Sequence, residues 1–185
     1  MLSEQLINKV ISATKLYEGE VPYMYLDSKG LVTVGVGFYM PNSDDATQFA
    51  FNKPDGNGAT ASEIAADYAV VQQMEANRIA SYYKREAGLT MTEDAINTKL
   101  AEEINSFGGE LAGIYSDFDG FPDNVKQALF DMIFNLGATN LRKGWPSFNK
   151  ALANADWAEA AKQSHRRAPV SEARNDYVSN LFLSV

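Results

Sequence analysis

The stretch from Tyr17 to Phe38, YEGEVPYMYLDSKGLVTVGVGF, constrains this chain more than any other. A helix entering it must stop. Gly19 favours a left-handed exit, and Pro22 removes a backbone donor and clashes with the turn before it. Ser28-Lys29-Gly30 then supplies turn chemistry between two extended runs, so the segment reads as a helix end followed by a tight β-hairpin. From Leu31 to Gly37 the residues alternate. Val32, Val34 and Val36 fall on one face, and Thr33, Gly35 and Gly37 on the other. A strand face holding two glycines and a threonine is commonly left bare where a ligand or another backbone comes close. Three side chains with chemical use sit on this segment: Glu18 where the helix ends, Asp27 before the turn and Thr33 after it.

The helix leading in is amphipathic. Leu2, Leu6, Val10 and Ala13 recur at helical spacing from Ser3 to Tyr17. Glu18 therefore lies in its last turn, where the helix dipole disfavours a negative charge. Partial burial would push the carboxyl in the same direction, toward the protonated state a general acid needs. Alone, Glu18 is equally compatible with an ordinary solvated acid, and Glu20 lies close by.

The full pattern is more specific. E-G-x5-Y-x-D-x2-G-x2-T-x-G-x-G is filled by Glu18, Gly19, Tyr25, Asp27, Gly30, Thr33, Gly35 and Gly37, eight residues at fixed spacing. Glu20 falls off this spacing. The pattern closely resembles the active-site segment of the phage-type (T-even) lysozymes, glycoside hydrolases that cleave peptidoglycan glycan chains. The resemblance is strong over 16–38, good over 91–148, weak at the end of the chain and poor over 39–90. Phe38 stands where relatives often carry histidine, and Lys29 replaces an acidic or neutral turn residue.

The resemblance implies an α+β, mostly helical lysozyme-like fold over a single domain, 1–185. Residues 16–90 would form a small hairpin lobe, and 1–15 with 91–185 a larger helical lobe, with the active-site cleft between. It implies a bacteriolytic muramidase acting on the β-1,4 bond between N-acetylmuramic acid and N-acetylglucosamine. Glu18 would be the general acid, while Asp27 and Thr33 would position the attacking water. Tyr25, Gly35, Phe134 and Asn135 would contact substrate. One late arginine pairs with the catalytic glutamate in the family. Arg174 is the best match and Arg167 the next. A water held between acid and base requires carboxyls about 6.5–9.5 Å apart, the inverting geometry. A lytic transglycosylase, a chitinase-like hydrolase and a non-catalytic wall-binding module are the alternatives.

Elsewhere the chain reads as helices and punctuation. Residues 39–58 form a polar loop with a short strand or turn near Phe49–Phe51. Thr60 and Glu63 have capping-box spacing before a helix expected to reach Glu86, with Gly88 closing it. Leu89–Asp94 opens another helix capped by Thr92, running to Phe107 and restarting after Gly108-Gly109. Pro122 starts a helix through ALFDMIFNLG that Gly137 caps. Trp145-Pro146 and Asp156–Glu159 begin two short helices, and the last covers about 171–183.

Composition excludes some functions. There are no cysteines and a single histidine, His165, so disulfides, thiolate metal sites and paired-histidine zinc sites are out. No cofactor or metal is expected. A net charge of −8 argues against nucleic acid and anionic membranes as partners. It also implies that a chain acting on an anionic wall is delivered there or uses a local basic patch. Lys162, Arg166, Arg167 and Arg174 gather late in an otherwise acidic chain, either as exposed helix charges or as the source of the arginine that the resemblance pairs with Glu18. The first twenty residues lack the pattern of a signal peptide. Either synthesis in the cytoplasm or a domain cut from a larger protein is therefore expected, and the resemblance implies action in the periplasm, as a phage endolysin or as an antibacterial secretion effector. An effector would imply an immunity protein as partner. A monomer is expected.

Overall fold

The computed structural model describes residues 2–185. In chain order the elements are α1 (Glu4–Glu18), β1 (Val21–Leu26), β2 (Val32–Gly35), β3 (Phe38–Tyr39), α2 (Ser43–Ala46), β4 (Phe51–Asn52) and α3 (Ala61–Gln72). There follow β5 (Thr90–Met91), α4 (Glu93–Ile114), α5 (Asp123–Leu136), α6 (Ala138–Gly144), α7 (Pro146–Ala153), α8 (Trp157–Gln163) and α9 (Glu172–Leu183). The fold is α+β and mostly helical, as the sequence implies. Among the described residues no helix is long and apolar enough to cross a membrane. The chain divides into two compact units, residues up to Tyr17 with Ala101–Val185, and Glu18–Leu100.

The helical unit is built around α5. Val125, Ala128, Leu129, Phe130, Met132 and Ile133 are all buried on it. A helix apolar over so much of its surface is stable only when neighbours cover it. Phe118 meets Phe130 edge-on with ring centroids 6.2 Å apart, and Phe148 of α7 meets Phe182 of α9 at 5.7 Å, the offset geometry aromatic rings prefer. Gly137, at φ 72°, ends α5 with its N–H on Ile133 O. Pro146 opens α7, and Asp156 caps α8 by accepting from the Glu159 amide at 2.9 Å.

One expectation fails here. α4 runs unbroken through Gly108-Gly109. Gly108 serves packing, since a β-carbon on it would lie 3.1 Å from Leu2 Cδ1.

The second unit holds an antiparallel sheet in the order β1-β2-β3, with Tyr25 opposite Thr33 and Val34 opposite Phe38. Two corrections apply beyond the hairpin. The helix expected to reach Glu86 ends at Gln72, and only a 3-10 turn, Ala80–Tyr83, follows. Asn77 adopts a left-handed φ of 60°, and Ile79, which a continuing apolar stripe would bury, is 77% exposed. The Tyr83 hydroxyl instead donates to Glu75 O, tying the turn back. Second, Thr90–Met91 is a strand pairing with β4 rather than the run-in to a helix. The capping box forms: the Glu63 amide donates to Thr60 Oγ1 and the Thr60 amide to Glu63 Oε2. Thr92 caps α4 through the Ala95 amide.

Candidate active site

Glu18 is the last residue of α1, as expected, but it is exposed instead of partly buried, because Gly19 and Glu20 beyond it are exposed as well. Gly19 follows at φ 78°, a conformation that costs glycine nothing and turns the chain into β1. At the far end of β1 the carboxylate of Asp27 builds the hairpin turn. Its Oδ1 accepts from the amides of Lys29 at 2.8 Å and Leu31 at 2.9 Å, while Gly30, at φ 75°, donates to Asp27 O. The turn therefore fixes Asp27 through one oxygen. The other, Oδ2, has no hydrogen-bond partner among the described residues.

Thr33 faces Tyr25 across the β1–β2 pair and is only 3% exposed. Its hydroxyl donates to Leu31 O at 2.9 Å, leaving the oxygen as an acceptor. Tyr25 joins the group electrostatically. Burial raises its phenol pKa above the ordinary value, and the charges of Asp27 and then Glu18 push in the same direction. Both carboxylates thus act on one hydroxyl.

Gly35 packs closely against its own sheet. At φ 66°, a β-carbon there would lie 2.8 Å and 2.9 Å from the Phe38 ring. The space a side chain would need there is taken by the Phe38 ring of the same sheet. Gly37 does remain open: nothing lies within 4 Å of where its β-carbon would be.

In the helical unit, Phe134 is half-buried in the last turn of α5, edge-on to Phe107 with centroids 4.8 Å apart, and Asn135 beside it is exposed. Arg174 is buried. Its Nε donates to Asp131 Oδ2 at 2.9 Å and Oδ1 at 3.2 Å, and Arg166 Nη1 donates to Oδ1 at 2.7 Å. The Arg174 guanidinium also lies 5.4 Å from the ring centroid of Tyr17, the residue before Glu18. Arg167 and Lys162 are exposed. The sequence reading did not single out Asp131, and it took Arg166 only as one of a late basic gathering, not as a partner of Asp131. The available signal was an acid inside the apolar run Phe130-Asp131-Met132, because a charge on a buried helix face demands a partner.

No protein-family model matches the chain. It is 27% identical over 159 residues to Probable T4-type lysozyme 2 of Dictyostelium discoideum, covering 84% of this chain and 81% of that protein. A crystal structure of a P22 lysozyme mutant matches with a TM-score of 0.60, at 19% identity, over 99% of this chain and 98% of the other. The chain is thus similar in sequence to a T4-type lysozyme and shares its fold with a phage lysozyme. Glu18, Tyr25, Asp27 and Thr33 all lie on the hairpin unit. Phe134, Asn135 and Arg174 belong to the helical one.

Proposed function

We propose that this glycosidase is a peptidoglycan muramidase that cleaves the β-1,4 bond from N-acetylmuramic acid to N-acetylglucosamine with inversion at the anomeric carbon. The observation that carries the reading is the hairpin itself. Asp27 is anchored through one oxygen and keeps the other for solvent, while Tyr25 feels the charge of both Asp27 and Glu18.

The reading gives each group one task. Glu18 delivers its proton to the leaving glycosidic oxygen as the bond to the anomeric carbon breaks. A water on the opposite face of the sugar attacks that carbon. Asp27 Oδ2 takes the proton the water releases. Thr33, its own proton committed to Leu31 O, accepts from the water's other O–H and so aims the attacking lone pair. Tyr25 lies opposite Thr33 in the sheet register and would donate to substrate. Phe134 and Asn135 would contribute an apolar surface and an amide to glycan binding. Arg174 is assigned as the counter-ion of Glu18. The position of its guanidinium over Tyr17, one residue away in the chain, supports this.

The lytic transglycosylase alternative is disfavoured because it needs neither Asp27 nor Thr33 and leaves anhydro ends instead of reducing ends. The test is the configuration of the first-formed reducing end, followed by proton NMR of the anomeric signal during digestion. Inverted product at early times supports the water-activating role of Asp27 and Thr33. Retained product would show that Asp27 acts as a nucleophile or not at all.

A further inference from the structure

The helical unit carries a groove of about 750 Å³ along α1, flanked by α5 and α9, in the size range of small-ligand sites. No step of the hydrolysis uses it. Its lining includes Ala13, Leu16 and Tyr17 of α1, Gln127 of α5 and Tyr177 of α9, with polar side chains of α1 beside them. Leu16 is 74% exposed, unusual for a leucine beside two tyrosines. We propose that this groove binds an N-acetylated hexosamine residue.

Hydrogen-bonding capacity selects the ligand. Gln127 Nε2 donates to the Tyr177 hydroxyl at 2.7 Å. The phenolic proton and Gln127 Oε1 then have no partner among the described residues, which leaves one donor and one acceptor side by side. If the amide is turned over, Tyr177 donates to Oε1 and the pair still presents one free donor and one free acceptor. Burial pushes the Tyr177 pKa up to about 12, so the phenol stays neutral wherever the enzyme works. Glu4 and Lys9 on the groove wall cancel in charge, which favours an uncharged ligand.

An acetamido group answers each feature. Its N–H and C=O complement the Gln127–Tyr177 pair, and its methyl suits the apolar surface of Ala13 and Leu16. The Tyr17 and Tyr177 rings, 5.2 Å apart and tilted by 42°, offer edges and partial faces for the C–H surface of a pyranose. A second glycan contact on an acidic chain would hold it on its polymer between cleavages.

The test uses Glu18→Gln protein, to remove hydrolysis, and N,N′,N″-triacetylchitotriose as the probe in amide NMR titrations. Saturable shifts at Ala13, Leu16 and the Gln127 side chain are expected. Tyr177→Phe should weaken that binding about three- to tenfold, the effect of one neutral hydrogen bond, and Leu16→Asp should weaken it further. Cellotriose, which lacks the acetamido group, should shift the same signals only at much higher concentration. Shifts confined to the hairpin, none in the groove at millimolar trisaccharide, equal binding of cellotriose, or an unaffected Tyr177→Phe would each overturn the proposal. None of these results bears on hydrolysis, which is read from products.

Discussion

Asp131 offers the sharpest test of how the helical unit is held together. Its side chain is 5% exposed and is shared by Arg166, 2% exposed, and Arg174, 8% exposed. Replacing it with alanine leaves two buried guanidinium groups without the carboxylate they share. Breaking a buried ion pair by removing one partner costs about 3–5 kcal/mol, and for a chain of this length about 2–4 °C of Tm accompanies each kcal/mol. Asp131→Ala should therefore lower Tm by roughly 6–20 °C. Asp131→Asn should fall between it and wild type, because the amide oxygen still accepts from one guanidinium. The control is Glu75→Ala. Glu75 pairs with Arg78 at 2.7 Å, but both side chains are at least half exposed, and a surface pair contributes about 0–1 kcal/mol. Urea denaturation of the three variants beside wild type gives the free energies directly. If Asp131→Ala costs no more than Glu75→Ala, the cluster is not what secures α5 to α9.

Two further perturbations address other links. Gly35→Ala should destabilise by about 1–3 kcal/mol, because the position is left-handed and the added methyl meets the Phe38 ring; pairing it with Phe38→Ala should recover the steric part in urea denaturation, and no recovery would refute the clash. At alkaline pH, Tyr177, raised to about 12 mainly by burial, holds its proton more tightly folded than unfolded, where it titrates near 10. Its contribution is full below about pH 10 and is lost as pH rises through about 12, so stability should fall less steeply over that window in Tyr177→Phe than in wild type. Parallel curves would contradict this.

The hairpin was legible because its signals are local. Gly19, Gly30 and the extended run from Val32 each fix backbone within a few residues, and both glycines and β2 appear in the structure. The expected alternation to Gly37 does not: β2 stops at Gly35 with every residue buried, and Val36-Gly37 turn the chain into β3. The purpose of Gly35 was not legible. Two glycines on one strand face say that something comes close, and only the β2–β3 register reveals that Phe38 does. Residues 61–86 show the opposite failure. Good helix formers and a fair apolar pattern predict one long helix, but the Asp67–Arg85 pair at 2.9 Å and the Tyr83–Glu75 bond reward a chain that folds back. Those contacts span 18 and 8 residues, beyond any local window. The β4–β5 pairing is longer in range still, and two-residue strands carry no period to detect. The Asp131 cluster is the intermediate case. The acid was visible as an anomaly, while its partners, 35 and 43 residues away, were not.

The central claim is that Glu18 delivers the proton that breaks a muramyl bond. It is tested most directly by digesting purified Gram-negative sacculi with wild-type and Glu18→Gln protein of equal Tm and identifying the products by mass spectrometry. The account predicts muropeptides with intact reducing-end muramic acid from the wild type, and at least about a hundredfold less from Glu18→Gln, the loss expected when a general acid is removed. Reducing-end N-acetylglucosamine, anhydro-muramic ends, or equal release by both proteins would contradict it.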